Sequence, residues 1–491
     1  MIKTKRRVVF MTGATGVMGY ETLKEFSRHG EEFEVRILAR RSKKNEKKLA
    51  PYKDGSNIKV IWGDMMNPED VERGMGDAEY VLHIGGVVSP LADHVPQKAM
   101  KVNIGSARIL VDTIKKRPNR DEIKLVYIGS VAEMSHRYPP HHWGRAGDPI
   151  IAGVYDYYGI SKIEAERVVA ESGLKHWVSL RQSGILHKGL VDRATDPISF
   201  HVPLRGVLEW ATVEDSARLM VGVCREGVPE SFWRNFYFIG SGKEFRLTNY
   251  EFEKLLLESM GCPPPEKSFK TRWFATRNFH GLWFSDSDRL NEIIPFREEI
   301  TAEAYFKRMV GKMPWWVKLS PLAPGWLIRG FMWWVAHTKD MGPLNWLSRE
   351  DCEQKIRAYY GSRDAIKEIP DWEGMDLSRP SERPEQLNHG YDESKPEEEL
   401  GIEDMRQAAA YRGGKCLSAE MEPGDLDTPL EWECSYGHRF RATPRIVLKG
   451  GHWCPQCMPA PWKYDDEAKR NPFMAQVWYD SHAADEDEIY V

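Results

Sequence analysis

The chain has 491 residues, 41% of them hydrophobic and 29% charged, with a formal net charge of −4. That length excludes one small domain and suits two or three. The near-neutral balance excludes a chain-wide electrostatic footprint for nucleic acid, although short basic runs lie at residues 3–7 and 43–48. No uninterrupted apolar stretch reaches about 18 residues, so no spanning helix is expected. Residues 313–336 come closest, and Lys318, Arg329 and three prolines interrupt them. The N-terminus runs into an apolar strand without a signal-peptide pattern, so a cytoplasmic location is expected.

In chain order, residues 8–11 (VVFM) read as a buried parallel strand. Gly13, Gly16 and Gly19 follow at three-residue spacing. A helix pattern then opens, with Val17, Leu23 and Phe26 expected on one buried face. A strand, a tight glycine turn and a helix place a pyrophosphate at a helix N-terminus, where unpaired amides and the helix dipole favour an anion. Further strands are expected at 35–39, 58–62, 80–84, 125–128 and 177–180, alternating with helical patterns. This alternation predicts an α/β fold: a Rossmann-like, doubly wound parallel sheet with helices on both faces.

The second strand ends in Ala39, Arg40, Arg41 and Ser42, with no Asp or Glu. An acidic side chain here would bind ribose hydroxyls, whereas arginine accommodates a 2′-phosphate. NADP(H) is therefore expected over NAD(H), the alternative being that Arg40 and Arg41 are ordinary exposed charges. Tyr158 and Lys162 lie four apart and share a helix face. A nearby ammonium lowers the pKa of a phenol, which suits Tyr158 to proton exchange with a carbonyl or alcohol oxygen. Ser130 follows the fifth strand at the sheet edge where ligands bind in such folds.

These residues resemble the extended short-chain dehydrogenase/reductase family, in its epimerase/dehydratase-like branch. The matching pieces are TGATGVMG from Thr12 to Gly19, Gly63 with Asp64, the turn His83 to Gly86, Asn103, Ser130 and Tyr158-x-x-x-Lys162. Later ones are Leu180 with Arg181, Glu214 with Asp215, NFYFIGS from Asn235 to Ser241, and DSDRL from Asp286 to Leu290. The likeness covers roughly residues 5–300 and implies Tyr158 as acid/base, Lys162 on the nicotinamide ribose and Ser130 on the substrate oxygen. It implies Asp64 near the adenine and Asn103 in support of the active-site helix. It also implies cofactor contacts from Gly13, Thr15, Gly16, Val17, Met18, Gly19, Met65, Gly85, Gly86 and Ile185, beside Arg40 and Arg41. Two departures lie near the expected nicotinamide site: Gln182 replaces the usual proline, and Gly85 and Gly86 stand where alanines are common. Residues 1–300 should thus hold the Rossmann domain and its substrate-binding part. His187, His201 and Trp210 are candidates for the pocket lining, each more readily explained by packing.

Residues 301–370 lie outside the resemblance and carry Trp315, Trp316, Trp326, Trp333, Trp334 and Trp346. They read as an apolar lid or membrane-surface helix, or as a helical extension packed on the body or forming a homodimer interface; the last pair is preferred. Residues 371–400, rich in proline, serine and charge, read as a linker with little core of its own. In 401–460, Cys434-x-x-x-His438 and Cys454-x-x-Cys457 supply four soft ligands in two close pairs. Such a set suits a structural, tetrahedral Zn²⁺ site with no open position. It resembles bacterial zinc-ribbon modules, which bind protein or nucleic acid; this one has no strong basic stripe. Cys416 is expected in the core and His452 exposed. Residues 461–491 read as a mobile acidic tail.

The leading expectation is an NADP(H)-dependent oxidoreductase interconverting a carbonyl and a secondary alcohol on an apolar or ring-bearing small molecule. A nucleotide-sugar epimerase or dehydratase holding NAD tightly is the first alternative. A cofactor-sensing scaffold acting through its zinc ribbon is the second.

Overall fold

The computed structural model describes residues 5–52, 57–190, 196–458 and 460–491. The basic run at 3–7 therefore begins outside the described residues. Strands β1 (Arg7–Thr12), β2 (Phe33–Ala39), β3 (Ile58–Trp62), β4 (Tyr80–His83), β5 (Lys124–Ser130), β6 (His176–Gln182) and β7 (Asn235–Ile239) form one seven-stranded sheet. Every pairing is parallel, in the order β7-β6-β5-β4-β1-β2-β3. The order reverses at β1, so a crevice opens at the C-terminal ends of β1 and β4, where doubly wound sheets bind ligands. The seventh strand, β7, had been read only as a family motif.

Six helices cover the sheet: α1 (Val17–Ser27), α2 (Lys43–Leu49), α3 (Pro68–Met75), α4 (Pro96–Lys115), α5 (Tyr157–Ala170) and α6 (Val213–Val223). The two-residue period of β1 divides the core. Val8 and Phe10 face Met75, Leu110 and Ala165 of α3, α4 and α5. Val9 and Met11 face Leu23, Phe26, Leu219 and Met220 of α1 and α6. Val17, expected on the buried face, is exposed at the first position of α1.

The C-terminal third packs against this body. Strands β8 (Lys415–Cys416), β9 (Leu430–Glu433) and β10 (Arg439–Ala442) form an antiparallel sheet. Its Trp432 and Trp453 belong to the same core as α4 and α5. The stretch read as a linker is strapped down along the body. Ser381 O accepts from His142 Nε2 and Trp143 Nε1, both at 2.9 Å, and buried His389 meets Asp148 at 2.9 Å. The segment read as a mobile tail forms helices Tyr464–Arg470 and Pro472–Trp478. Trp462 and Tyr490 there are fully buried and exchange two backbone hydrogen bonds of 2.9 and 3.1 Å. In both stretches a few aromatic and histidine anchors outweigh a composition dominated by charge and proline.

A buried charge network joins these parts. Arg181 of β6 pairs with Glu166 of α5 at 2.6 Å and lies 3.5 Å from Glu133. The Nη2 that bonds Glu166 also donates to Gly450 O at 2.6 Å, and His452 lies 2.7 Å from Glu166. His452 is therefore buried, contrary to the reading from sequence. Burial pushes the Glu166 carboxyl up, but Arg181 and His452 outweigh it and hold Glu166 well below the usual carboxylate range. Burial and the neighbouring Glu166 drive Glu133 the other way, well above that range. Removing one partner of such a set strands a charge away from water. Glu166→Ala should cost about 3–5 kcal/mol in urea unfolding. His452→Ala should cost about 1.5–3 kcal/mol, the value of a hydrogen bond to a charged group. Losses below ~0.5 kcal/mol in both variants would show the network to be energetically idle.

Candidate functional site

The first half of the site is the turn between β1 and α1. Gly13 has φ +79°, a left-handed conformation that favours glycine. A Cβ on Gly13 would lie 2.5 Å from Gly85 N, and one on Gly19 would lie 2.2 Å from Gly13 O. The turn therefore presses against both the β4 turn and its own helix. No side chain caps α1 at Gly16, and its first turn has no acidic residue. The amides of Val17 and Met18 are thus left to an anion from outside. Thr15 O accepts from Lys48 Nζ of α2 at 2.9 Å, which brings a cation to the loop that the sequence reading missed.

Around this turn, Arg40 and Arg41 are exposed at the end of β2, and Arg41 lies over the Trp62 ring. Asp64 is half-buried at the end of β3; its Oδ1 accepts from Met66 N at 2.9 Å. Met65 meets the β4 turn, where a Cβ on Gly85 would lie 2.9 Å from its sulfur. Gly85 N donates to Thr12 Oγ1, which also meets His83 Nδ1 at 2.8 Å. Burial lowers His83 to about 3, so the ring is neutral and acts as a structural bridge to Ser106. Ile185 sits further out, paired with Ala211.

The second half lies at the ends of β5 and α5. Asp156 caps α5 by accepting from Gly159 N at 2.7 Å. Tyr158 and Lys162 then fall on successive turns. Ser130 ends β5, its Oγ accepting from Ala132 N at 3.1 Å, and Glu133 Oε1 accepts Ser130 N at 2.6 Å. Burial pushes the Tyr158 phenol well up, and the influence of Ser130 only partly offsets the rise. Lys162 Nζ donates to Ile128 O at 2.5 Å and lies 4.6 Å from the Tyr127 ring centre. Burial lowers its ammonium to about 8, against the pull of Glu133 and Glu166. Asn103 of α4 clamps the two halves together. It exchanges two hydrogen bonds with the backbone of Val87 and donates to Ser161 Oγ at 2.8 Å. Ser161 Oγ in turn donates to Tyr158 O.

Beside Tyr158 lies a cavity of about 200 Å³. Asp93, Asp156 and Tyr157 form one wall, while His201, His280, Trp346 and Tyr359 form others. Ser130, Tyr158 and Lys162 do not line it. Burial, reinforced by Asp156, pushes Asp93 up to about 6. Of the three residues offered for a pocket, His201 lines this cavity. Trp210 instead stacks on Phe252 with ring centres 4.4 Å apart, and His187 Nδ1 accepts from Gly189 N. Trp346, Lys355 and Tyr359 come from the tryptophan-rich extension, for which a lid over a substrate was the less favoured reading of the sequence.

The third cluster is Cys434, His438, Cys454 and Cys457, whose ligand atoms all lie within 4.8 Å of one another. Cys434 and Cys457 sulfurs are 3.8 Å apart, and His438 Nδ1 is 3.6 and 3.5 Å from the sulfurs of Cys454 and Cys457. A tetrahedron with metal–sulfur bonds of about 2.3 Å has edges of about 3.8 Å. The donor set therefore fits a closed zinc ribbon. Cys416 is half-buried against the core beside it.

Comparison with known proteins supports the architecture. The model of the NAD dependent epimerase/dehydratase family matches residues 9–183. A dTDP-glucose 4,6-dehydratase from Bacillus anthracis str. Ames, solved in complex with NAD, superposes with a TM-score of 0.50 at 16% identity, over 62% of this chain and 96% of that one. The dTDP-glucose 4,6-dehydratase DesIV from Streptomyces venezuelae, with NAD and TYD bound, gives 0.50 at 17% identity over the same shares. At these identities the two structures show the shared fold.

Proposed function

We propose that this chain binds a nicotinamide dinucleotide and carries out hydride-transfer chemistry of the epimerase/dehydratase kind on a ring-bearing small molecule, with the cofactor recycled in place. The observation that carries this reading is the placement of Ser130 at the end of β5 with Tyr158 and Lys162 on successive turns of α5, Lys162 Nζ donating to Ile128 O, at the same sheet edge as the uncapped glycine turn. A nucleotide-linked sugar is the substrate class that the resemblance implies, and a dTDP-glucose 4,6-dehydratase is among the structures of like fold. The bound dinucleotide would supply the hydride acceptor and donor. The amides of Val17 and Met18 would hold its pyrophosphate, and Lys162 its nicotinamide ribose. Ser130 Oγ orients the reacting oxygen, and Tyr158 Oη takes or gives that oxygen's proton. With oxidised cofactor bound the alcohol would be oxidised first, so Tyr158 would act first as the proton acceptor and, when the hydride returns, as the donor.

The NADP(H)-dependent oxidoreductase expected from the sequence is kept as a second reading. Exposed Arg40 and the lack of a carboxylate at the end of β2 favour a 2′-phosphate. Identifying the nucleotide that copurifies separates the two. Retained NAD without net consumption supports the first reading, and free exchange with net NADPH consumption supports the second. In either case Tyr158→Phe should lower turnover by about 10²–10⁴-fold while cofactor affinity stays within about twofold. Unchanged turnover would remove Tyr158 from the chemistry and revive the scaffold reading.

Lys162 predicts the pH profile. Its ammonium is present below about 8 and is lost as pH rises through that value. Provided the ammonium assists catalysis, kcat/KM should be flat below this point and fall about tenfold per unit above it. The residual activity of Lys162→Met should lack that fall.

We further propose that the C-terminal cluster holds one structural zinc. The full chain should contain about one equivalent by elemental analysis, and Cys457→Ser should drop it below about half. Because His452 and Gly450 lie just before Cys454, chelation should also lower the urea midpoint of the whole chain. An unchanged midpoint with the metal removed would argue against a structural role.

A further inference from the structure

Residues 315–334 place large apolar side chains in solvent. Helix α7 (Ala302–Gly311) leads through a 3₁₀ segment (Trp315–Leu322) into helix α8 (Gly325–Ala336). The inner face of α8, with Met332, Val335 and Ala336, packs on Phe200, Phe269, Trp273 and Phe274. Its outer face is apolar as well. At about 100° per residue, Trp326, Leu327, Phe331, Trp333 and Trp334 fall within one arc opposite that packed stripe. Trp326 is 74% exposed and Trp334 61%, and the preceding segment adds Trp315 at 73% and Leu322 at 79%. A solvated helix carries polar residues there. An apolar patch of this kind marks a docking surface, and nothing among the described residues covers it.

The charges on this stretch say what fits. Between Glu303 and Asp340 the chain carries Lys307, Arg308, Lys312, Lys318, Arg329 and Lys339, and no carboxylate. Lys312 pairs with Glu214 and Arg308 with Glu298, while Lys307, Lys318 and Lys339 remain exposed. A two-fold interface between copies sets the same patch against itself, so these cations would face each other across it. An anionic lipid surface instead offers an apolar layer for the tryptophans and negative headgroups for the lysines. The 12 residues of α8 span about 18 Å, short of the ~30 Å hydrocarbon core, so the helix can lie only along the surface.

We propose that Trp315, Trp326 and Trp334, with Lys318, dock this protein on an anionic lipid bilayer, with α8 parallel to the surface. The same extension supplies Met341, Trp346, Lys355 and Tyr359 to the wall of the 200 Å³ cavity, so the docking face and that cavity share one covalent segment.

The test uses the full chain with vesicles of mixed phosphatidylglycerol and phosphatidylcholine, and with phosphatidylcholine alone. Wild type should pellet with the anionic vesicles, its tryptophan emission should shift to the blue, and added salt should weaken binding. Trp326→Glu should lower the partition coefficient about tenfold or more, as expected for losing one buried large side chain. Lys318→Glu should weaken binding to the anionic vesicles only. Both positions are exposed, and an unchanged urea midpoint shows that a variant is folded. Wild-type protein that stays in the supernatant with anionic vesicles overturns the proposal. So does a vesicle-free dimer that Trp326→Glu converts to monomer without any vesicle binding, which would assign the face to a second copy of the chain.

Discussion

Arg181 is the point on which the rest of the molecule depends. Its guanidinium is fully buried at the end of β6, where an unpaired charge would be prohibitive, so every surrounding element has to bring it a partner. Glu166 comes from the helix that carries Tyr158 and Lys162, and Glu133 from the turn that holds Ser130. Gly450 and His452 come from the loop ahead of Cys454. One cation thus couples the candidate catalytic helix, the serine turn and the C-terminal ribbon. Displacing any of them exposes the others to an uncompensated charge.

This arrangement explains why the ribbon packs on the sheet domain rather than swinging on a tether. A small three-stranded sheet has too little core to stand alone, and its Trp432 and Trp453 are shared with the core over α4 and α5. The strap from 371 to 400 follows the same logic. Its Ser381 carbonyl answers the buried donors of His142 and Trp143, and Leu387 O and Glu393 accept from Arg145.

The site itself divides by the range of its interactions. The glycine turn, the end of β2 and the Tyr158–Lys162 spacing are local, and each was legible because a strand–turn–helix unit imposes its own residue types. Ser130 and Asn103 were found through their place in a motif order. Glu133, Glu166, Lys48 and His452 carried no local signal: a glutamate in a helix and a histidine in a glycine-rich loop look like surface residues until a distant arginine is brought beside them. Helix α8 packs on the body, as the preferred reading of the extension expected, yet one of its faces stays apolar and exposed.

The sequence by itself determined the parallel α/β sheet, the glycine turn between β1 and α1, the Tyr158–Lys162 spacing and the Cys–His cluster. These depend on periodicity, on backbone conformations open to glycine and on ligand spacing, all of which act over a few residues. Only the tertiary structure decided that strap, ribbon and tail close onto one body, that His452 is buried against Glu166, and that the extension lends Trp346 and Tyr359 to a cavity beside Tyr158. Those outcomes rest on pairing buried charges and sharing apolar surface between segments far apart in the chain, and such pairings exist only once the whole fold has brought them together.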